Sequence, residues 1–379
     1  MNVHASIDAA GDERLEIVES PDRLAAIEEQ WTRLWHATDA LIFQSHGWIS
    51  AWWKTLKRQE QTALRIGLVW SGDTLVGLIP LAISRRKGLR LLEWAAVAYA
   101  DYGDILCAPE CSDAALHRLW TKICEAGGFD LAFINRLLPD AAAWRLFEPG
   151  KASGVRLRAN HRQEFSSRIA GDWESGAAWL ASRPKKTRQN YRRSMKMLEE
   201  AGSVEIRLLG ADEPLGPVLD RLASLKRKWL EKTGLTSELF DEGTPVLSAL
   251  VDVLARAGIL RLFVVELNGV MVAAEINFVQ RNTMMAWVAS YDPEFSRASP
   301  GTALMFSYVQ WSFDHGLNMV DLLCGSEAYK DRFSTHVVTL KSVIGPRTAK
   351  GSLALLADGM RQKLRQRRDA KSEPLDEPD

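Results

Sequence analysis

Cysteine is scarce: Cys107, Cys111, Cys124 and Cys324 are the only four in 379 residues, and no pair is spaced CxxC. That excludes a disulfide framework, and reduced thiols in a cytoplasm are the simplest reading. Neither sign of charge is in excess, since 48 Lys and Arg balance 48 Asp and Glu. Bulk electrostatics therefore gives no reason to expect a nucleic acid or a membrane surface as partner. No long apolar run exists either. The longest uncharged stretch, Ala298 to Phe313, is interrupted by Ser299, Pro300, Gly301, Thr302, Ser307, Gln310 and Ser312, too short and too polar to span a bilayer. Met1 to Leu15 lacks the basic start and apolar core of a secretory signal. The seven His show no HxxxH or HExxH spacing, and no His pair lies near Cys107 and Cys111, so no metal site is expected. A soluble, cytoplasmic protein without a membrane span is the expectation.

What is present is ordinary for a folded chain: 46% hydrophobic and 25% charged residues. The length suits two domains of about 150–200 residues each. Helical spacing of Leu24, Ile27, Trp31, Leu34 and Trp35 opens the first block. Strand-like runs follow at 63–70, 74–83 and 89–97, then a helix from Asp113 to Ala126 closed by Gly127-Gly128, then a strand at 130–136. The second block carries helices stopped by Gly202, Gly234 and Gly258, with Ser182-Arg183-Pro184 read as the start of the first. Three strands come next, at 259–266, 270–279 and 283–291, the first two joined by the strong hairpin signal Asn268-Gly269. A helix from Pro300 to His315, a strand from Met319 to Cys324, a short helix at 329–333 and a strand at 339–344 complete it. The fold class is mixed α/β (α+β): two units of similar grammar, each a mostly antiparallel sheet flanked by helices. Their expected bounds are 1–168 and 169–350, with 351–379 a charged, partly disordered tail. Most of the fourteen Trp lie on helical stripes and read as core.

The sharpest constellation is strand, loop and helix from Thr283 to Gly316. Pro300-Gly301-Thr302-Ala303 opens the helix with small residues, so a pyrophosphate could approach its exposed N–H groups, where the dipole favours an anion. Arg297 adds a charge just before it. Equally, Ser299 caps the helix and Pro300 starts it, with no ligand at all. On the strand at 270–279, Glu275 and Asn277 share one face. A carboxylate in an apolar strand is either a base or a structural hydrogen-bond acceptor. The run from Arg183 to Arg193 has six basic residues and no acid. It is either a solvated helix face or, through Lys186 and Arg188, a contact for a phosphate or polyanion.

This order of hairpin, strand, small-residue loop, helix and strand resembles the core of the GNAT acyltransferase fold. The segment Asp321-Leu322-Leu323-Cys324-Gly325-Ser326-Glu327-Ala328-Tyr329-Lys330-Asp331-Arg332-Phe333 is similar to that of the CelD-type acetyltransferases, named for cellulose biosynthesis and related to the tandem-GNAT FemAB transferases. Ser299–Gly301 and the basic helix from Arg183 to Arg193 match as well. The resemblance covers 170–344 well and fits the first block as a degenerate first copy. It implies an acyl group moved from acetyl-CoA or another acyl-CoA, without a metal, to an amine or hydroxyl of an envelope or exopolysaccharide-related acceptor. Pro300, Gly301, Thr302 and Ala303 then hold the pyrophosphate, with Arg297 one position earlier than the usual GNAT pattern. Tyr329 is the implied acid for the leaving thiolate, or else a packing partner of Phe333. Glu275 is the implied base and Glu327 its alternative. Tyr102 and Asp104, in Ala100-Asp101-Tyr102-Gly103-Asp104, match the acceptor side of the cleft. FemAB relatives use aminoacyl-tRNA as donor, which is the alternative activity; a binding protein on a decayed fold is the non-enzymatic one.

Overall fold

The computed structural model describes residues 13–147, 154–325 and 327–372, without the side chains of 328, 329 and 363–372. Strand β1 (Glu13–Val18) is followed by α1 (Pro21–Ala26), α2 (Glu28–Ala37) and α3 (His46–Thr55). Then come β2 (Thr62–Ser71), β3 (Thr74–Arg86), β4 (Leu89–Trp94), the short β5 (Leu106–Cys107), α4 (Asp113–Ala126), β6 (Leu131–Leu137) and the one-turn α5 (Trp144–Phe147). A connecting stretch carries β7 (Arg158–Ala159), β8 (Glu164–Ala170), α6 (Gly176–Ser182) and α7 (Lys185–Ala201). The second series is β9 (Val204–Leu208), α8 (Leu215–Thr233), α9 (Val246–Arg256), β10 (Leu260–Leu267), β11 (Val270–Gln280), β12 (Thr283–Tyr291), α10 (Pro300–Asp314) and β13 (Met319–Cys324). The chain ends with α11 (Ala328–Phe333), β14 (His336–Pro346) and α12 (Ala349–Ser372).

Local chemistry sets most of these boundaries. Ser20, Ser45, Ser112 and Ser175 each accept an N–H of the first helical turn on their side-chain oxygen, which satisfies a donor the helix leaves open. Asn268 and Gly269 take φ of 52° and 75°, the pair of left-handed residues that a tight hairpin between twisted strands requires. The expected cap at Ser182 is different in the structure. Ser182 ends α6 and donates to the Trp179 carbonyl at 2.7 Å, and α7 starts at Lys185 behind Pro184 with no side-chain cap.

All fourteen strands among the described residues belong to one mixed sheet. Its main path runs β1-β2-β3-β4-β6-β14-β8-β13-β12-β11-β10-β9, which reads as the same unit twice about the β14–β8 pair. In each unit four strands pair antiparallel, the fourth crosses over through a helix to a parallel neighbour, and one more antiparallel strand closes the row. In the first unit these are β1 to β4, α4, β6 and β14. In the second they are β9 to β12, α10, β13 and β8. The closing strands are exchanged in the chain: β14, the last, completes the first unit, and β8 completes the second. The expected division at 168–169 therefore cuts through β8, which pairs with both β13 and β14. Strand order is set by long-range pairing, which a linear reading of composition does not register.

One apolar cluster crosses the junction and joins Trp31 and Trp48 of α2 and α3 to Leu250 and Leu254 of α9 and Leu222 of α8. A second, under α10 on the opposite face, holds Phe263, Leu304, Phe306, Tyr308 and Val320. Burying side chains of this size is the main stabilising term available to the junction. The expected tail begins as the long helix α12, capped where Thr348 receives the Gly351 N–H at 3.2 Å and donates to Asp130 at 3.0 Å. Its Ala, Leu, Gln, Lys and Arg content is strongly helix-forming. No helix among the described residues is long and apolar enough to cross a membrane.

Candidate active site

The parallel strands β12 and β13 pair only at Thr283–Met319, Met284–Val320 and Met285–Asp321. Beyond Asp321 they part, β12 running on to Tyr291 and β13 to Cys324. Both bend at that level. On β12 the partners of Ile276 and Asn277 are Val288 and Ala286, so Trp287 is an extra residue that kinks the strand. On β13 the register with β8 shifts between Asp321 and Cys324, and Leu323 takes φ of 58°. A wedge opens between two strands that would otherwise share hydrogen bonds.

Glu275 lies one strand in from this wedge, opposite Ala289 of β12. It is 4% exposed, and burial pushes its carboxyl up to about 8 against the hydrogen bond from the Tyr308 hydroxyl and the charges of Lys330 and Lys226. A group with that value exchanges its proton near neutral pH. Lys226 of α8 donates to the Ala289 carbonyl at 3.0 Å and sits 4.6 Å from the Trp229 ring centroid; burial lowers its pKa. Lys330 of α11 is more enclosed, 4% exposed. Its ammonium donates to the Cys324 carbonyl at 2.7 Å and pairs with Glu327 at 3.0 Å. Two lysines and two carboxylates thus surround the wedge.

At its base the first unit is tied to β13. The Tyr102 hydroxyl donates to Asp321 Oδ2 at 2.8 Å and shares a 2.6 Å bond with Ser166. Ser166 and the Leu323 N–H reach Asp321 Oδ1, each at 2.8 Å, and Arg168 reaches Oδ2 at 3.1 Å. Asp321 is 1% exposed, and a buried carboxylate needs such donors. Burial and the Asp321 charge raise the Tyr102 pKa well above its ordinary value. Next to it, Asp101 accepts the Cys324 N–H at 3.1 Å, and burial raises its pKa while Arg136 and Lys330 counteract.

Helix α10 opens beside the end of β12. Ser299, at φ 50° and ψ 56°, stands at the cap position but provides no side-chain cap; its hydroxyl turns back to the Ser296 carbonyl at 3.3 Å. A Cβ on Gly301 would meet only the Tyr291 ring, at 3.6 Å, so the space over the first turn is open. Pro300 and Ala303 are buried, Gly301 and Thr302 half-buried, and Arg297 is exposed. Helix α7 runs along α10: Ser194 donates to the Ala298 carbonyl and reaches that of Ser299 at 3.4 Å, while Tyr191 stacks on Phe306 at 4.3 Å. This direction leaves Lys186 and Arg188 about 9–12 Å of helix rise from the opening. Arg192 and Arg193 lie nearer, within two residues of Ser194.

The first unit has the same crossover between β4 and β6, paired only at Leu91–Leu131 and Leu92–Ala132. There the gap is filled. The Trp94 indole, 3% exposed, donates across it to the Asn135 carbonyl at 2.9 Å, and a Cβ on Gly103 would lie 2.0 Å from that indole nitrogen.

The sequence-derived candidates are therefore spread over several places, with Arg297 exposed just before α10 and Lys186 and Arg188 near the start of α7. Glu275 and Glu327 meet at the wedge through Lys226 and Lys330, and Pro300, Gly301, Thr302 and Ala303 form the helix opening. Tyr102 is at the wedge base as a tie between units, with its hydroxyl engaged. Asp104 is apart from it: the N–H groups of Ile105, Ala142 and Ala143 bond its carboxylate at 2.8, 3.1 and 2.8 Å, and burial pushes it up to about 6. Tyr329 stands in α11, with its side chain outside the described residues. Lys226, Lys330, Asp101 and Asp321 are what sequence reasoning missed. Lys330 alone left a signal, since it shares the inward face of a short helix with Phe333, 3% exposed.

Residues 185–331 match the model of the acetyltransferase (GNAT) domain. A solved structure of FemX has a TM-score of 0.55 at 11% identity, over 86% of this chain and 96% of that one. The DUF2156 C-terminal domain of a protein assigned as a lysylphosphatidylglycerol synthetase, from Agrobacterium fabrum, gives 0.52 at 11% over 89% and 96%. A tandem GNAT protein from the clavulanic acid biosynthesis pathway gives 0.50 at 12% over 88% and 99%. At these identities the likeness is one of fold. No curated protein matches the chain in sequence. Residues 185–331, which hold the wedge, its lysines and the α10 opening, are a GNAT-type acetyltransferase domain, and the chain is an enzyme of the acyltransferase class.

Proposed function

We propose that this enzyme moves an acyl group from an acyl-CoA to an amine or hydroxyl acceptor, with Glu275 as general base. The observation that carries the reading is the buried carboxyl, held near 8, beside parallel strands that part at Asp321. Gly301, Thr302 and Ala303 would hold the pyrophosphate on the first turn of α10, where a Cβ on Gly301 would meet only the Tyr291 side chain, at 3.6 Å. Bound acyl-CoA supplies the activated acyl group. Within the chain, Glu275 accepts the acceptor's proton and Tyr308 orients its carboxylate. The ammonium groups of Lys226 and Lys330 stabilise the ionised form, and Tyr329 is the candidate acid for the departing thiolate. Filling of the first unit's gap by Trp94 supports a single donor site, in the second unit. The CelD-type resemblance favours an envelope or exopolysaccharide-related acceptor, and the reduced cysteines favour a cytoplasmic setting.

Aminoacyl transfer is the second reading, favoured by the FemX and lysylphosphatidylglycerol synthetase folds together with the basic α7. A thermal-shift panel of CoA, acetyl-CoA, longer acyl-CoAs and aminoacyl-tRNA separates the two, since a ligand of the native state stabilises by RT ln(1 + [L]/Kd). We expect a rise with an acyl-CoA. A rise with tRNA alone selects aminoacyl transfer instead.

A further inference from the structure

We propose that Cys107 is a reversible S-thiolation site: its thiolate opens a low-molecular-weight disulfide of the glutathione class, and Cys111 is the resolving thiol. Cys107 ends β5 and is half-buried, lining a cavity of ≈ 200 Å³ whose other walls include Gln44, Asp104, Asp140 and Arg281. Arg145 of α5 is aimed at it. Its Nε is held by Asp113 at 2.7 Å and its Nη2 by the Cys111 carbonyl at 2.8 Å, and its Nη1 donates to Cys107 Sγ at 2.8 Å. A guanidinium fixed against the sulfur of a half-buried, cavity-lining cysteine is the arrangement that makes a thiolate available for attack.

The neighbouring charges agree. Cys107 Sγ lies 3.9 Å from the Cys111 carbonyl; the neighbouring Cys111 thiol lowers the Cys107 pKa, and Arg145 adds to this against desolvation, Asp113 and Asp104. The other cysteines are placed differently. Cys124 is buried and pushed up to about 11 by desolvation. Cys324 is raised by burial and donates to the Asp101 carbonyl at 3.1 Å.

In the first step the Cys107 thiolate forms a bond to one sulfur of the small disulfide. The old S–S bond breaks, and a small thiolate leaves. The Cys107 thiolate is then gone, and with it the influence of Cys107 that raises the Cys111 pKa. In the second step Cys111 loses its proton to water, attacks the Cys107 sulfur and expels the second small thiol. Overall two protein thiols are oxidised to one disulfide, and the small disulfide is reduced to two thiols. The Gln44 side chain that lines this cavity donates to the Tyr102 carbonyl at 2.8 Å, so an adduct sits beside the tie between the units.

The test uses the full chain, with iodoacetamide labelling of each cysteine followed by mass spectrometry. Cys107 should label about tenfold faster at pH 7 than Cys124 or Cys324, with a midpoint below the roughly 8.5 of a free thiol. Arg145→Gln should slow Cys107 about tenfold without changing Cys324, and Arg145→Lys should restore part of the rate. Oxidised glutathione should leave its adduct on Cys107 in Cys111→Ser, and a Cys107–Cys111 bond in the unsubstituted chain. A labelling midpoint at or above that of a free thiol overturns the proposal, and so does first labelling at Cys324. Should Arg145→Gln not fold, the labelling midpoint of the unsubstituted chain decides alone.

Discussion

The Tyr102 hydroxyl and the Asp321 carboxylate meet at 2.8 Å although 219 residues separate them in the chain. Asp321 is also the last residue at which β12 and β13 still pair. One hydrogen bond therefore joins the first unit to the point where the second unit opens.

Tyr102→Phe should test that tie. Losing a donor to a buried carboxylate costs about 1–3 kcal/mol, which urea unfolding would register. Unchanged stability would show that Ser166, Arg168 and the Leu323 N–H suffice for Asp321.

Glu275→Gln should lower kcat by roughly 10²- to 10⁴-fold and leave donor affinity nearly intact. In the unsubstituted enzyme kcat/KM should rise with pH up to about 8, where the carboxyl ionises. A rate that keeps the same pH profile after the substitution would remove Glu275 as base.

The same carboxyl also predicts a stability trend. Its folded value, about 8, lies above its ordinary 4.5, so between them the unfolded chain has released a proton that the folded chain still holds. Its contribution to stability is full below 4.5 and is lost as pH rises to about 8. Glu275→Gln should flatten that slope in melts recorded across this range.

Gly301 separates shape from charge at the donor site. Gly301→Ala should fold and bind acyl-CoA, because the new methyl meets only the Tyr291 ring in ordinary contact. Gly301→Glu should abolish binding through bulk and a negative charge at a helix N-terminus. Calorimetric titration with CoA checks both, and full affinity in Gly301→Glu would refute the assignment.

Along α7 the basic residues should divide in effect. Neutralising Arg192 and Arg193, nearer the α10 opening, should weaken CoA more than dephospho-CoA. Neutralising Lys185, Lys186 and Arg188 should leave CoA binding unchanged. If these three grip tRNA instead, its affinity in the unsubstituted enzyme falls steeply with salt, and neutralising them reduces that log–log slope by about two to three units. A slope near zero would set the aminoacyl alternative aside.

Much of this fold was legible because its signals are local. Asn268-Gly269 and the Gly127, Gly202 and Gly234 stops act within a few residues of themselves, and so did the strand–helix–strand run from Thr283 to Cys324. Glu275 stood out as one carboxylate in an apolar strand. The partners that give it meaning did not, since Lys226 and Lys330 read as ordinary charged helix residues until tertiary packing encloses them. Tyr102 was legible as a candidate but not as a tie, because its partner lies in another unit. Strand β8 was missed as a strand and crossed by the expected boundary, since Glu164, Ser166, Ser167 and Arg168 carry none of the apolar run expected of an inner strand.

The exchange of closing strands also orders events during synthesis. β6 leaves the ribosome with its edge unpaired, and the strand that covers it, β14, begins 199 residues after Leu137 ends it. At about 5–20 residues per second that interval is roughly 10–40 s. Throughout it the first unit presents an open strand edge. The enzyme's earliest-made half is thus the one that must wait longest for its last neighbour, and a chaperone that shields β6 has its window there.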